Sequence, residues 1–219
     1  MIDLIVKALL AYMLGGLLGG LIVGKLKGGV DIRKQGSGNA GGTNALRTQG
    51  WWFALWVMII DIGKGWLAVC VIASLALPLL GDATSLNTQW NGVACAMAVV
   101  VGHVYPCWFG FRGGKGAATL VGVVWGLAPA ALPWVLGLWL VTLMISGFVG
   151  LSTMLATFSF NFWVWLKQAQ PQLPLLVFSI SMTLFVSYTH RANIARMRAG
   201  QENRARSLWL FKPRTSGSE

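Results

Sequence analysis

Apolar runs long enough to cross a lipid bilayer recur along this chain from its first residues to about residue 189, and no water-soluble fold could bury all of them. The clear ones lie at about 4–24, 53–80, 91–109, 117–147, 150–166 and 173–189. Charged residues make up only 11% of the 219 residues, against roughly 25% in a soluble domain. The polar coat of a globular protein is therefore missing, and an all-α integral membrane protein is expected. The first run is too long for a signal-peptide core and has no small-residue cleavage site before a polar stretch, so it reads as a retained span.

Residues 117–147 decide the topology. Thirty-one residues exceed a single span of about 20, and Pro129 and Pro133 favour a tight turn near the middle. Two short helices there bring the total to seven transmembrane helices, at about 4–24, 53–80, 91–109, 117–130, 132–147, 150–166 and 173–189. With the N-terminus outside and the C-terminus cytoplasmic, loops 25–50, 110–116 and 190–219 share the cytoplasmic side. They hold 14 of the 17 Lys and Arg residues, as the positive-inside rule requires. Six spans would place the basic tail opposite the other two loops. The expectation is one polytopic membrane domain over residues 1–219, with the tail from about Arg204 loosely ordered. Asp61 and Lys64, three residues apart inside the second run, share a helix face. They fit either an ion pair within the membrane or a functional site.

The polar sequence is concentrated in the three basic loops. Residues 36–44, GSGNAGGTN, offer bare glycine amides and the side-chain donors Ser37, Asn39, Thr43 and Asn44, followed by Arg47. Glycines such as Gly38 let amides turn toward an anion, and an arginine one turn into a helix adds a charge-assisted bond. A plain flexible linker would not need this set. In residues 102–122, RGGKG (Arg112, Gly113, Gly114, Lys115, Gly116) sets two cations in glycine backbone at a helix start, with His103 upstream. It is like a phosphate nest without the P-loop spacing. Tyr105, Trp108, Phe109 and Phe111 also fit an aromatic belt at the lipid boundary. In residues 190–204, His190 and Asn193 share a face of a basic helix leaving the last span; a headgroup anchor is the simpler alternative, but it does not require Asn193 or Glu202.

The net charge of +11 is accounted for by these loops and by anionic headgroups, with no nucleic-acid partner implied. Cys70, Cys95 and Cys107 stand singly, the two histidines are far apart, and Asp31 and Glu202 are the only acids of the three cytoplasmic loops besides Glu219. No metal site and no cofactor are therefore expected. The His-x4-Asp signature of soluble-type glycerolipid acyltransferases is absent too, since Trp108 occupies the Asp position after His103.

GSGNAGGTNALRT, GHVYPCWFGFRGGKGAAT and HRANIARMRAGQE resemble, in order and over essentially the whole chain, the three motifs of the bacterial acyl-phosphate:glycerol-3-phosphate acyltransferases (PlsY). The resemblance implies transfer of a fatty acyl group from acyl phosphate to glycerol 3-phosphate, giving lysophosphatidate, at a site on the cytoplasmic face of the bacterial inner membrane. By motif, Ser37 and Arg47 match the essential pair of the first loop. His103, Arg112, Gly113, Gly114 and Lys115 match the second, which is associated with acyl phosphate. His190, Asn193 and Glu202 match the third. The implied catalytic set is Ser37, Arg47, Lys115, His190 and Asn193. The implied binding set is Gly38, Asn39, Thr43, Asn44, His103, Arg112, Gly113, Gly114, Gly116 and Glu202.

Two positions depart from the motifs. Arg112 replaces a lysine, and SGFVGL at residues 146–151 lacks a serine at Gly150, for which Ser146 or Ser152 are the candidate substitutes. Acyl phosphate is already activated, so alignment and charge stabilisation suffice for chemistry. Either His190 or the leaving phosphate takes the hydroxyl proton. Partners are then the two substrates and the bilayer, with contact to a soluble acyl-phosphate-producing enzyme left open. An organic-phosphate transporter or channel is the alternative, and it would place polar groups along several spans near midplane.

Overall fold

The computed structural model describes residues 2–77, 85–167 and 173–211, and among them every regular element is helical. The first apolar run is not one helix. It forms α1 (Ile2–Gly15) and α2 (Gly19–Leu26), which meet at a 44° bend. The pairs Gly15–Gly16 and Gly19–Gly20 explain the weakness, since each glycine costs about 1 kcal/mol of helix propensity. Backbone groups released by such a break need partners in a bilayer. Lys64 Nζ donates to the Leu17 carbonyl at 2.8 Å, and Gly19 N–H donates to Asp61 Oδ1 at 3.1 Å. Asp61 and Lys64 are 2.8 Å apart and buried, so they do pair, and the pair also closes the gap in the first span.

The short α3 (Gly42–Gln49) leads into α4 (Trp51–Leu67), which continues through one π turn, Ala68–Ile72. Helix therefore stops short of the expected residue 80; positions 78–80 lie outside the described residues. α5 (Ser85–Val104) begins before the expected residue 91, and a 3-10 turn at Cys107–Phe109 replaces its end. α6 (Ala117–Leu127) is followed by the 3-10 turn Pro129–Ala131 and α7 (Leu132–Ser146). The two prolines thus sit in the turn and in the first turn of α7, where a missing N–H costs nothing. α8 (Val149–Lys167), α9 (Leu173–Thr189) and α10 (Arg191–Arg198) complete the order.

α1 packs along α5, α4 along α6, and α7, α8 and α9 in sequence. α6 and α7 barely touch, so residues 117–147 form a turn but not a packed hairpin. Small residues let the backbones close: a Cβ on Gly102 would overlap the Tyr12 carbonyl, and one on Gly122 the Ile62 carbonyl. Val99, Val123, Phe160, Phe178 and Val186 bring α5, α6, α8 and α9 into one core. Outward positions are apolar as well, with Trp52 71% and Leu184 68% exposed. Such a surface suits lipid and would aggregate in water.

Among the described residues four helical stretches are long and apolar enough to cross a bilayer, and up to six if each bent pair counts as one span. α6, with 11 residues, is about 16 Å long, roughly half the hydrocarbon thickness. The tail also departs from expectation. It docks on the turn between α7 and α8: Ala205 N–H donates to the Gly147 carbonyl at 2.7 Å, and Leu210 N–H to that of Met144 at 2.9 Å. Trp209 Nε1 donates to the Ile145 carbonyl at 3.1 Å. These bonds satisfy carbonyls that the end of α7 leaves open, which is why the chain is held there. Residues 212–219 lie outside the described residues.

Candidate active site

The first loop is organised by Asn44, on α3. Its Oδ1 accepts from the Ser37 N–H at 2.9 Å and from Ser37 Oγ at 3.2 Å. Its Nδ2 donates to the carbonyls of Ile32, Gln35 and Asn39 at 2.9–3.0 Å. Asn44 is 2% exposed, and its bonding capacity is spent inside the loop. It shapes the loop that presents Ser37. Asn39 likewise turns inward, accepting from Gly41 N–H at 2.8 Å. Arg33, which pairs with Asp31 at 3.0 Å and holds that carboxyl below its usual range, also donates to the Arg112 carbonyl at 3.0 Å. The first and second loops are thereby tied together.

The second loop doubles back on α5. Gly113 N–H donates to the Val104 carbonyl and Gly114 N–H to that of His103, each at 3.0 Å. Neither amide is free for a ligand. Gly114 packs on the His103 ring so closely that any side chain there would overlap it. Gly116, at φ +88°, is a left-handed N-cap that opens α6. The first-turn N–H groups of α6 have no intrahelical acceptor. The anion-directed amides are therefore those at and just after Gly116, rather than those of Gly113 and Gly114.

The third loop begins where α9 bends by 54° into α10. His190 Nδ1 stands 2.8 Å from the Val186 carbonyl, so Nδ1 carries the proton and Nε2 is left with a lone pair. Lys115 donates to Asn193 Oδ1; Asn193 Nδ2 donates to Glu202 Oε1 at 2.7 Å, and Arg196 Nε to Glu202 Oε2 at 2.6 Å. Thr189 Oγ1 also bonds the Lys115 carbonyl at 3.2 Å. Burial, together with the nearby Arg196 and Arg47, brings the Lys115 ammonium down to about 8. Burial, opposed by the Val186 bond and helped by Lys115, takes His190 down to about 4.

These loops close one end of a cavity of about 730 Å³. Ser37, Asn39, Thr43, Asn44, Arg47, His103, Lys115, Gly116, His190, Asn193 and Glu202 all line it. Gly38, Arg112, Gly113 and Gly114 do not: Gly38 makes a turn at φ +72°, Arg112 is exposed, and the other two are the seat of the loop. The far end is apolar, walled by Leu120 and Val124 of α6, Val135 and Trp139 of α7, Phe160 of α8 and Phe178 of α9. Sequence reasoning missed Arg196 and Asn203, which also face the cavity; the Asn203 carbonyl accepts from Arg47 at 3.5 Å. The basic run around Arg196 was visible, but its direction was not. Gly150 faces Asn193, and a Cβ there would stand 3.1 Å from it. Ser146 and Ser152 do not fill that gap, since their hydroxyls bond the Thr142 and Phe148 carbonyls one turn back in the chain.

A cationic, donor-rich mouth on an apolar interior, within a lipid-facing helical body, defines a membrane protein for amphiphiles with anionic heads. Comparison with known proteins places it more closely. The chain belongs to the glycerol-3-phosphate acyltransferase family, whose model matches residues 5–200. It is 40% identical over 214 residues to the glycerol-3-phosphate acyltransferase of Synechococcus sp. (strain JA-2-3B'a(2-13)), covering 97% of this chain and all of that relative. It is 36% identical to the enzyme of the same name from Chlorobaculum tepidum, covering 89% of this chain and 93% of the relative. Two crystal structures of PlsY (YgiH), an integral membrane glycerol 3-phosphate acyltransferase, share the fold. The glycerol 3-phosphate form has TM-score 0.78 and 34% identity, covering 92% of this chain and 94% of the other. The lysophosphatidic acid form has TM-score 0.79 and 32% identity, covering 95% and 99%.

Proposed function

We propose that this protein is an acyl-phosphate-dependent glycerol-3-phosphate acyltransferase that forms lysophosphatidate and phosphate, an early step of phospholipid synthesis. The carrying observation is the single cavity that joins Ser37, Arg47, Lys115, His190 and Asn193 to an apolar chamber between α6, α7, α8 and α9. A fatty chain fits the chamber, and the two phosphates suit the mouth. A transporter would need polar groups free along its path, whereas this chamber is walled mainly by apolar side chains, and the hydroxyls of Thr153 and Thr157 that also line it bond carbonyls of α8.

In the reaction the glycerol hydroxyl oxygen attacks the acyl carbonyl carbon, the new C–O ester bond forms, and the C–O bond to phosphate breaks with its electron pair leaving on phosphate. Ser37 and Arg47 hold glycerol 3-phosphate. Lys115, positioned by Asn193, and the α6 N-terminus offset the charge of the acyl phosphate and of the tetrahedral oxyanion. His190 Nε2 accepts a hydrogen bond from the attacking hydroxyl and orients it. With its basicity depressed to about 4, the ring is a weaker base than the departing phosphate, whose second pKa is about 6. The proton therefore ends on phosphate. Glu202 holds Asn193, and Asn39, Thr43, Asn44, His103 and Gly116 shape the mouth. Gly38, Arg112, Gly113 and Gly114 support the loops from outside it.

Seven spans, with the N-terminus outside and the three loops facing the cytoplasm of the bacterial inner membrane, form one domain in this reading. The 14 clustered cations support it, with α6 as the short member, continued by the turn at Pro129–Ala131. A soluble enzyme that makes acyl phosphate would deliver the donor to this face. The deciding test uses detergent-purified protein with labelled glycerol 3-phosphate in excess chelator. Lysophosphatidate should form with acyl phosphate and not with acyl-coenzyme A. Dependence on added magnesium, or equal rates with the thioester, would overturn the mechanism.

A further inference from the structure

Asp61, Lys64 and His103 are 0%, 3% and 2% exposed, and the acyltransferase reading gives the first two no part in the reaction. Lys64 Nζ has three neighbours at 2.8 Å: Asp61 Oδ1, the Leu17 carbonyl and His103 Nδ1. An ammonium has three protons, and two of these partners can only accept. The third proton therefore points at Nδ1, and the ring's own proton is on Nε2. Were the shared proton to sit on the histidine instead, Nδ1 and Nε2 would both be protonated. Baring Nε2 would take either loss of a proton from the cluster, which leaves the Asp61 carboxylate buried without a cation, or transfer of the Lys64 proton to Asp61, which gives up the ion pair. With the Asp61–Lys64 ion pair intact, Nε2 is a donor. Asp61 Oδ1, 3.5 Å from Nδ1, is too far to take that role from Lys64.

Among the described residues Nε2 makes no hydrogen bond. It lies against Gly114, and the ring lines the polar end of the cavity beside Lys115 and Gly116. We propose that Asp61 and Lys64 are positioning residues that fix His103 as a hydrogen-bond donor to the phosphate group held at the α6 N-terminus. The same contacts couple this donor to the break between α1 and α2, because the Leu17 carbonyl and Gly19 N–H belong to the cluster. The alternative tautomer would turn a lone pair toward an anion and repel it. The proposal rests on the acyltransferase reading for the identity of that anion, but the tautomer itself does not.

The chain has two histidines, so a ring-labelled (13C, 15N) histidine sample of the full-length protein in detergent micelles at neutral pH gives two ring signals, which His190→Gln assigns. His103 is expected as the neutral Nε2–H form and His190 as the neutral Nδ1–H form. Inorganic phosphate, standing in for the phosphate at the α6 N-terminus, should shift the His103 Nε2 signal. In Lys64→Met the ring should become doubly protonated, because Nδ1 then faces Asp61 alone; a thermal melt checks that the variant is folded. Should that variant not fold, the wild-type tautomer and its response to phosphate decide. A wild-type His103 carrying its proton on Nδ1, a His103 signal indifferent to inorganic phosphate, or a neutral Nε2–H ring in folded Lys64→Met would each overturn the proposal. An inactive protein with the expected tautomers would instead overturn the acyltransferase reading alone.

Discussion

The two histidines of this chain face one cavity and are held in opposite senses. His103 sits at the end of α5 with an ammonium against Nδ1, so its free nitrogen donates. His190 sits at the bend after α9 with a carbonyl against Nδ1, so its free nitrogen accepts. Each has a lysine nearby, put to different use. Lys64 touches its histidine and donates a hydrogen bond to it. Lys115 does not bond His190, and acts through space by opposing a positive charge there. The lesson is that residue type and burial do not set a histidine's role; the atom opposite Nδ1 does.

The largest expected effect comes from breaking the second pair. Lys115→Met removes the cation at the α6 N-terminus and the partner of Asn193 together. Loss of one such charge-stabilising donor costs roughly 10²–10³ in kcat. The same substitution should raise the His190 pKa above its present value of about 4, though not to an ordinary 6.5, because burial remains. Kinetics and a histidine NMR titration on one sample check both. A His190 titration unmoved by the change would dissolve the contrast between the two lysines.

Arg47→Ala ranks next. Arg47 is exposed, and among the described residues its side chain hydrogen-bonds only the Asn203 carbonyl, at 3.5 Å, so it is available to a substrate phosphate. Loss of one charge-assisted bond predicts about tenfold to a hundredfold in kcat/KM for glycerol 3-phosphate. The ring signals of both histidines should stay as in the wild type. Near-normal kinetics in a folded variant would remove Arg47 from the cradle.

Much of this was legible in sequence, and the failures have physical causes. Apolar run lengths announced a membrane protein, and Pro129 marked the turn before α7. Hydropathy averages over a window, so it ran straight through Gly15–Gly20, although the doubled glycines were a local sign of the break. The spacing of Asp61 and Lys64 made a pair readable; their partners Leu17, Gly19 and His103 are tertiary and were not. Asn44 looked like a ligand donor because composition does not say which way an amide points. The same holds for Gly113 and Gly114, whose N–H groups went to α5. The tail beyond Arg204 looked loose because its partners are the open carbonyls at the end of α7.

The pH dependence sharpens the comparison between the two sites. Lys115, at about 8 in the free protein, is a cation below that pH and increasingly neutral above it. Anion binding should therefore weaken as pH rises through 8, with kcat/KM falling toward tenfold per pH unit beyond it. Bound phosphate favours the charged form, so kcat should hold to higher pH than kcat/KM. His190, at about 4, adds no inflection between pH 5 and 8. Lys115→Arg should remove the alkaline fall at some cost in rate, because guanidinium stays charged but fits differently. An inflection near pH 6 that vanishes in His190→Gln would show that His190 is the base after all.

The smallest effect tests whether the tail matters to the His190 side of the site. Arg204 lies over the Trp209 ring at 3.9 Å and over the Phe148 ring at 4.6 Å. Glu202, two residues upstream of Arg204, is the group that holds Asn193 against Lys115. Trp209→Ala removes the indole bond to Ile145 and one face of the arginine stack. Cation–π contacts of this kind are worth about 0.5–1 kcal/mol when exposed. If the tail holds Glu202, that energy appears as a twofold to fivefold drop in kcat, because Asn193 positions Lys115 less well. The alkaline inflection should also move, since Glu202 raises the Lys115 pKa and a displaced carboxylate would let it fall below 8. Thermal unfolding alone would not discriminate, because a tail that merely caps α7 would also lose stability. An unchanged kcat and inflection alongside a lower melting temperature would confine the tail to capping α7, and would leave Arg196 as the group that holds Glu202 in place.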